Sequence, residues 1–548
     1  MSAAIFNLID QPWIKVLNQS GHVEEVGIRK LLHSADEYRQ LSNELPTMDF
    51  AILRILLAIL YRSLREELKH DPLDYWKQMW DLRSLDIEMV DEYLDTWHGR
   101  FNLCDPEHPF LQAAMLRTPA GAWKDLSVII PDSPGEDALF TRTDPRTPIS
   151  LAQGSRWLIN ANAWDCSGIK SGQCDDPRVK GGRGYPMGIG WCGWLGGTTV
   201  VGSTLLETLL LNFIADRVPE ADDLPLWEEP PLPSGPRPDL RPPGQVALFT
   251  WPQRRIRLRV EDGMVTGALV CNGDPVDYTA QLQNETMTSF RYSEPQSKKA
   301  KRTIYMPRTL NRGQTMWRGL ETLLPSPDPS MVAGPNGSKV RRFIPPHNVT
   351  WVGRLTSGSL PPAYRIVLDV VSIEYGTQNS VVDTILHDSL RLSSELASAD
   401  AQNLHGLVLS AVERATQIGR EYTNLAGNLA IAAGGTPEGQ RTRATTHYFS
   451  QVDPMFRTWL TGITAQCDQD VERVKWASSL RKLALGLAEN LVVNAGEPAW
   501  TGREHDGRVY TAPLVHARYM AAISKILPPE EKDATYNPEE RKTKNSHD

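Results

Sequence analysis

A change in sequence periodicity near residue 380 most constrains the fold of this chain. Beyond it, apolar residues recur at helical spacing in five segments, residues 380–396, 402–420, 445–460, 471–492 and 514–527. Before it, short strand patterns alternate with loops rich in glycine and proline and with a few helices, one of them amphipathic with Thr47 as its predicted N-cap. The sequence therefore predicts an α+β fold, with a mixed α/β body over residues 1–380 and a helical bundle over residues 381–527.

Three further segments add to this division. Residues 228–244 are dense in proline and predict an extended connector. Apolar and basic residues then alternate from 246 to 260, which predicts a strand with an arginine row on its outer face. Residues 528–548 start with two prolines and are highly charged, so we expect a disordered tail.

Composition excludes several classes of protein. An apolar fraction of 41% supports a packed core, and the longest early apolar run, residues 50–61, is interrupted by Arg54 and too short to span a membrane. The first residues lack a signal-peptide pattern. The six cysteines form no C-x-x-C pair, which argues against a disulfide scaffold or a structural zinc. We expect a cytoplasmic protein with no membrane partner, no metal and no cofactor.

No local motif supports catalysis. The sequence has no G-x-x-x-x-G-K-[ST] loop, no H-E-x-x-H and no G-x-S-x-G. Its carboxylates do not cluster with the spacing of a two-metal nuclease. We therefore expect no catalytic residues, although a nuclease whose site assembles only in space remains an alternative.

Two polar turns are candidates for contact with DNA. The first is the glycine loop, Lys180, Gly181, Gly182, Arg183 and Gly184, where missing side chains allow backbone to approach another surface closely. The second is the polar run ending in Gln378, Asn379 and Ser380, whose amides suit base edges. An ordinary loop and an N-cap at Ser380 are the respective alternatives.

Basic and aromatic residues supply two weaker candidates. Residues 251–342 hold 15 Lys/Arg against 8 Asp/Glu in a chain of formal charge −8. Local basicity favours phosphate binding, and its strongest clusters are Arg254, Arg255, Lys298, Lys299, Lys301 and Arg302. Phe140, close to Arg142, could stack on an unpaired base. A solvated charged face and a loop anchor are the alternatives.

The order of these segments resembles the CasA family, the large subunits of the type I-E CRISPR surveillance complex Cascade. The resemblance is carried by LIDQPWIKV at 8–16, DPEHPFLQ at 105–112, the glycine loop with GGTTV at 196–200, LFTWP at 248–252, the run at 375–380, and THYFSQ at 446–451. It covers nearly the whole chain and implies a wedge-like α/β body followed by a four-helix bundle.

The resemblance also implies a function without catalysis. Family members hold the 5′ handle of the guide RNA, recognise the protospacer-adjacent motif (PAM) in double-stranded DNA, start strand separation, and help to recruit a helicase-nuclease alongside other Cascade subunits. The family's glycine loop falls on Gly181, Gly182 and Gly184, its wedge on Gln378 and Asn379, and its handle-binding aromatic on Phe140. A structural scaffold that holds guide RNA and partner subunits without reading DNA is the alternative.

One position departs from the family pattern. The family's lysine finger should lie near residues 281–284, where this chain has QLQN and no lysine. Either Gln281 or Gln283 replaces it, or the PAM is read differently.

Overall fold

The computed structural model describes residues 5–131, 144, 146–237, 240–326 and 329–528. The chain divides into two compact units, residues 1–405 and residues 406–548. Phe140, Arg142 and the predicted tail from residue 529 onward lie outside the described residues.

The first unit contains nine helices among its described residues. They are α1 (Ile28–His33), α2 (Pro46–Ser63), α3 (Pro72–Leu82), α4 (Ile87–Thr96), α5 (Leu151–Trp164), α6 (Leu205–Asn212), α7 (Gln245–Phe249), α8 (Glu294–Ala300) and α9 (His347–Leu355). Helix α2 is buried along almost its whole length, as expected for a helix that is apolar on all sides. Its N-cap is Leu45 with Pro46 as the first helical residue, so the predicted cap at Thr47 is wrong.

The strands form several small antiparallel sheets. They are β1 (Ile14–Asn18), β2 (Val23–Val26), β3 (Tyr38–Leu41), β4 (Ile149–Ser150), β5 (Lys170–Ser171), β6 (Arg183–Gly184), β7 (Gly197–Val201), β8 (Arg254–Glu261), β9 (Met264–Asn272), β10 (Phe290–Tyr292), β11 (Tyr305–Pro307), β12 (Met331–Ala333), β13 (Lys339–Arg341), β14 (Phe343–Ile344), β15 (Arg365–Tyr375), β16 (Val382–Ser393), β17 (Arg503–His505) and β18 (Arg508–Tyr510). Three sheets matter below, with strand orders β16-β15-β7, β4-β9-β8 and β11-β10-β14, together with the small hairpin β5-β6.

The long hairpin β15-β16 corrects the sequence prediction. Residues 380–396 were expected to form a helix, but Val382–Ser393 is a strand that pairs with β15 along its length. Val382, Leu386 and Leu390 are four residues apart, a spacing that fits one face of a helix and equally one face of a strand. Pairing with β15 decides between the two, and it moves the boundary between the units from residue 380 to residue 405.

The second unit is helical, which confirms the predicted C-terminal bundle. It consists of α10 (Gln402–Ala433, which begins just before the division), α11 (Pro437–Thr461), α12 (Gln469–Val493), α13 (Glu497–Thr501) and α14 (Ala512–Ile526). Buried aromatic side chains join the four long helices: Tyr448 of α11 and Trp476 of α12 bond to α10, and Tyr519 of α14 bonds to α12. None of the described helices is long and apolar enough to span a bilayer.

Candidate nucleic-acid interface

The glycine loop is the tip of the hairpin β5-β6. Lys180 and Arg183 exchange two backbone hydrogen bonds of 3.1 Å and so close the turn. Between them, Gly181 has φ +57° and Gly182 has φ +71°, the pair of left-handed conformations that a tight hairpin turn requires. A Cβ at either glycine would meet nothing within 4 Å. The residues at the tip are exposed, so their backbone faces outward.

Hydrogen bonds hold the glycine hairpin together and attach it to β9. Gly172 donates to the carbonyl of Gly182 at 2.9 Å. The side chain of Asn272, at the end of β9, donates to the carbonyl of Tyr185 at 2.7 Å. The same side chain lies close to Gly184, where a Cβ would be 3.0 Å from its Nδ2. Gly184 is therefore needed for packing, and Gly181 and Gly182 for the shape of the turn.

The predicted wedge is the tip of the hairpin β15-β16. Gln378 and Asn379 both have φ +56°, which is uncommon for residues with a side chain, and residues 377–380 are all exposed. Gly376 donates to the carbonyl of Val381 at 3.0 Å and closes the loop. The hydroxyl of Ser380 bonds back to the carbonyl of Thr377. Because a strand follows it, Ser380 is not a helix N-cap.

Two hydrogen bonds hold the wedge hairpin against the segment that leads into the glycine hairpin. The amide of Ser167 donates to the carbonyl of Asn379 at 2.7 Å, and the hydroxyl of Tyr375 donates to the carbonyl of Trp164 at 2.6 Å. Ser167 lies just before Lys170, where β5 begins. The wedge hairpin is thus tied to the segment that leads into the glycine hairpin, although the two are distant in sequence.

A mainly apolar cavity of about 250 Å³ is lined by residues of both hairpins, together with residues of the 124–131 segment and of the end of α5. Ile169 and Ser171 line it from the glycine hairpin, and Ile373, Val382 and Ile385 from the wedge hairpin. The hairpins therefore do not pack tightly against each other here, and the hydrogen bonds of Ser167 and Tyr375 set their spacing.

Arg254 anchors this region from inside, and its predicted role in phosphate binding is wrong. Its side chain is 1% exposed and makes an ion pair of 2.5 Å with Asp165. It also donates to the carbonyls of Cys166 and Gly188 at 3.2 and 2.7 Å. Burial opposes ionisation of Asp165, but the charges of Arg254 and Lys170 outweigh it and lower the pKa of that carboxyl.

The predicted role of Arg255 is wrong for the same reason. Its side chain is fully buried and pairs with Asp274 at 2.7 Å. It also donates to the carbonyls of Pro233 and Gly235, and so it pins the proline-dense segment that was expected to be a plain connector. The strand β8 lies inside the unit, with α7 in place of the strand start predicted at residue 246.

The two glutamines near the missing lysine have different surroundings. Gln281 is 3% exposed, and its amide bonds to the carbonyl of Asp277 and to the side chain of Asn284. It is therefore structural, and the prediction that it contacts DNA is wrong. Gln283 is exposed, and its backbone carbonyl accepts a hydrogen bond from Arg217, a bond that does not involve its side chain.

The remaining basic residues are on the surface. Lys298, Lys299, Lys301 and Arg302 are all exposed at or just after the end of α8. Lys298 pairs with Glu294 at 2.6 Å. Their exposure leaves them accessible to a polyanion, so their role in phosphate binding stays a prediction.

The metal-ligating and thiol groups of the described residues bear on whether the chain could be catalytic. Among them, no three His, Cys, Asp or Glu side chains stand close enough to share a metal ion. Burial raises the pKa of Cys104 to about 11 and those of Cys192 and Cys271 to about 12, so these thiols carry almost no thiolate at neutral pH.

Sequence reasoning missed the segment between Trp164 and Lys170 and the buried ion pair beneath it. No motif marks Ser167, which acts through its backbone amide alone. The only signal for Arg254 was its place in an alternating run, and this was interpreted as an outer face.

Known proteins are similar to this chain in sequence and in fold. Residues 7–487 match the family described as CRISPR-associated protein Cse1. The CasA/Cse1 protein of Thermus thermophilus is 28% identical over 509 residues, which cover 88% of this chain and 91% of that protein. The crystal structure of Thermobifida fusca Cse1 has a TM-score of 0.87 at 34% identity, covering 95% of this chain and 98% of that chain.

A third match is a chain from a structure described as a CRISPR RNA-guided surveillance complex. Its TM-score is 0.70 at 17% identity, covering 95% of this chain and 99% of that chain, which is a likeness of fold. The family match over most of the sequence confirms the resemblance drawn from its motifs: this chain belongs to the CRISPR-associated Cse1 family, also called CasA.

Proposed function

We propose that this chain is the large, non-catalytic subunit of a type I-E Cascade complex, in which it recognises the PAM in double-stranded DNA and starts strand separation. One observation carries the proposal. The hydrogen bond between Ser167 and Asn379 ties the wedge turn to the segment that leads into the glycine hairpin, and each of the two exposed turns has two residues in the left-handed region. The family, and a chain of the same fold in an RNA-guided surveillance complex, support the assembly with other Cascade subunits and guide RNA.

The glycine hairpin suits the minor groove of DNA. This groove is about 6 Å wide, and its pattern of donors and acceptors is degenerate. A tip made of Gly181 and Gly182, with no side chain, is narrow enough to enter, and Lys180 and Arg183 on either side supply charge for the two backbones. Such a probe reads few features of the base pairs, so we expect it to tolerate several PAM sequences.

The wedge hairpin suits the next step. Its exposed amide side chains, Gln378 and Asn379, stand at the end of a long paired hairpin. Separating stacked base pairs costs a few kcal/mol per step, and amides can replace part of the lost base pairing with their own donors and acceptors. The guide RNA then reads the remaining sequence by base pairing.

Other parts of the proposal rest on the family alone. By sequence position, Phe140 and Arg142 are the contacts for the guide-RNA handle. Recruitment of the helicase-nuclease and a place in the cytoplasm also follow from the family. The competing function is a scaffold that holds guide RNA and partners without reading DNA.

The test is binding of the reconstituted complex to a library of duplexes that differ only in the PAM. The variants are Gly181→Asp with Gly182→Asp, and Gln378→Ala with Asn379→Ala. The matched control is Gly263→Asp, which replaces another exposed turn glycine with φ +75° and open space around it and so imposes a similar backbone penalty elsewhere.

We expect the glycine variant to lose preference for PAM-containing duplex, and the wedge variant to bind duplex but open it slowly. The control should behave as wild type. If both variants retain the wild-type preference, the scaffold function is correct instead. Metal-dependent cleavage of DNA by the purified chain would contradict the absence of catalysis.

A further inference from the structure

Positive charge is concentrated around the sheet β11-β10-β14. Residues 288–306 and 329–344 contain five and three Lys/Arg residues, against a single acidic residue, Glu294, in a chain of formal charge −8. All eight are exposed: Arg291, Lys298, Lys299, Lys301, Arg302, Lys339, Arg341 and Arg342. Pairing of β10 with both β11 and β14 brings the two stretches together. The result is a local positive field that attracts polyanions.

Two tyrosines lie within this charge. Tyr292 and Tyr305 are direct partners in the β10-β11 register, so their side chains share one face of the sheet. Their ring centroids are 6.2 Å apart with planes at 69°, and both side chains are half-buried. Both rings therefore keep part of their surface open to solvent.

Arginines border this pair directly. The hydroxyl of Tyr305 donates to the carbonyl of Arg341 at 2.9 Å, and the amide of Tyr292 donates to the carbonyl of Arg342 at 2.9 Å. The pKa of Lys298 is raised, mainly by its hydrogen bond with Glu294, and the nearby phenol of Tyr292 also contributes. Both hydrogen bonds of the tyrosines are to the main chain of the arginines, whose exposed side chains therefore start beside the rings. We call Tyr292, Tyr305, Arg341 and Arg342 the tyrosine platform.

The platform is connected to the wedge hairpin. After β11 the chain runs beside that hairpin, where Leu310 donates to the hydroxyl of Ser372 and Arg312 pairs with Asp383 at 3.0 Å. Asp383 lies at the start of β16, next to the turn. Arg312 is seven positions after Tyr305, which is at most about 25 Å of extended chain.

We propose that the tyrosine platform binds the single DNA strand displaced at the wedge. A paired duplex offers phosphates but keeps its base faces stacked, whereas an unpaired strand offers both phosphates for the arginines and base faces for the rings. The chain leads from the platform directly to the wedge hairpin, where the two DNA strands are proposed to separate. This connection favours displaced DNA over guide RNA as the occupant. The inference rests on the proposed function in that the strand is released by opening at the wedge.

The test uses the reconstituted complex and a DNA bubble whose central base pairs are mismatched, so that no opening is required. The variants are Arg341→Ala with Arg342→Ala, Tyr292→Ala with Tyr305→Ala, and Tyr292→Phe with Tyr305→Phe. Arg443→Ala with Lys482→Ala removes two exposed cations from the second unit as a control.

We expect the arginine variant to bind the bubble more weakly and to reduce the slope of log affinity against log salt by about 1.4, since each single-strand phosphate contact contributes about 0.7. The alanine variant should bind about 10-fold more weakly through loss of base stacking, and the phenylalanine variant as wild type, because its rings remain. All should keep their preference for PAM in fully paired duplex. If the alanine variant does not assemble into the complex, the arginine variant tests the inference by itself, because the two side chains that it removes are exposed.

Photo-crosslinking identifies the occupant. With 5-iodouracil in the displaced strand, we expect crosslinks to the peptides that contain Tyr292 or Tyr305. The same crosslinks from labelled guide RNA instead, or equal effects of the arginine variant and the control on bubble binding, would overturn the inference. Failure of the PAM variants leaves this result intact, because the bubble is already open.

Discussion

Replacing Arg254 by methionine separates its structural role from the phosphate contact that its sequence suggested. The side chain is 1% exposed and its partner Asp165 is 8% exposed. Removing one member of a buried ion pair typically costs about 3–5 kcal/mol, because the other charge stays buried without compensation. Lys170 still pairs with Asp165 at 2.7 Å, so we expect the lower end, a loss of about 3 kcal/mol from the free energy of unfolding of the first unit.

The assay is urea denaturation of the purified chain followed by tryptophan fluorescence, combined with duplex binding by the complex across a series of salt concentrations. Arg254 also fixes the carbonyls of Cys166 and Gly188, which flank the glycine hairpin in sequence. We therefore expect a weaker PAM preference at every salt concentration, with an unchanged salt slope.

Lys299→Ala is the matched control, because it removes an exposed cation. It should leave stability unchanged and lower the salt slope by about 0.9 if Lys299 contacts a phosphate of the duplex. An Arg254→Met variant that behaves in this way, with wild-type stability and a reduced slope, would refute the assignment of Arg254 as an internal anchor.

Three further predictions concern single side chains. Burial, reinforced by the charge of Asp369, raises the pKa of Asp49 to about 6. The stabilising contribution of the protonated carboxyl is therefore present below about pH 4 and is lost as the pH rises through 6. The loss amounts to about 3 kcal/mol, at about 1.36 kcal/mol per unit of pKa shift. Asp49→Asn should remove this dependence in urea titrations from about pH 3.5 to 7, which span the window between the two pKa values, and an unchanged slope would contradict it. Tyr375→Phe leaves the carbonyl of Trp164 without its donor, which should cost about 1–3 kcal/mol of stability and slow duplex opening, measured by 2-aminopurine fluorescence. Gln283→Ala removes an exposed side chain, so it should leave the unfolding midpoint unchanged and lower PAM-dependent affinity by about 1–3 kcal/mol if it reads a base.

The correct sequence predictions share a local cause. Glycines at 181 and 182 could be assigned to a close-approach turn because residues without Cβ adopt positive φ at little cost. The helices α10, α11, α12 and α14 were predicted from apolar periodicity, and the family from motifs spread along the chain. The helix predicted over residues 382–393 was wrong because their apolar spacing fits both a helix and a strand. Only pairing with β15 selects the strand.

By itself, then, the sequence determined the family, the helical C-terminal unit and the composition of both turns, since each motif, apolar repeat or turn is built from residues close together in the chain. Only the tertiary structure decided which polar residues are free to act. Arg254 and Arg255 have the composition of a phosphate site, yet carboxylates distant in sequence bury and neutralise them. In the same way, the bond between Ser167 and Asn379 joins the two turns through backbone atoms that every residue possesses. Such a contact cannot be predicted from side-chain patterns, because it depends on where the folded chain places two peptide groups.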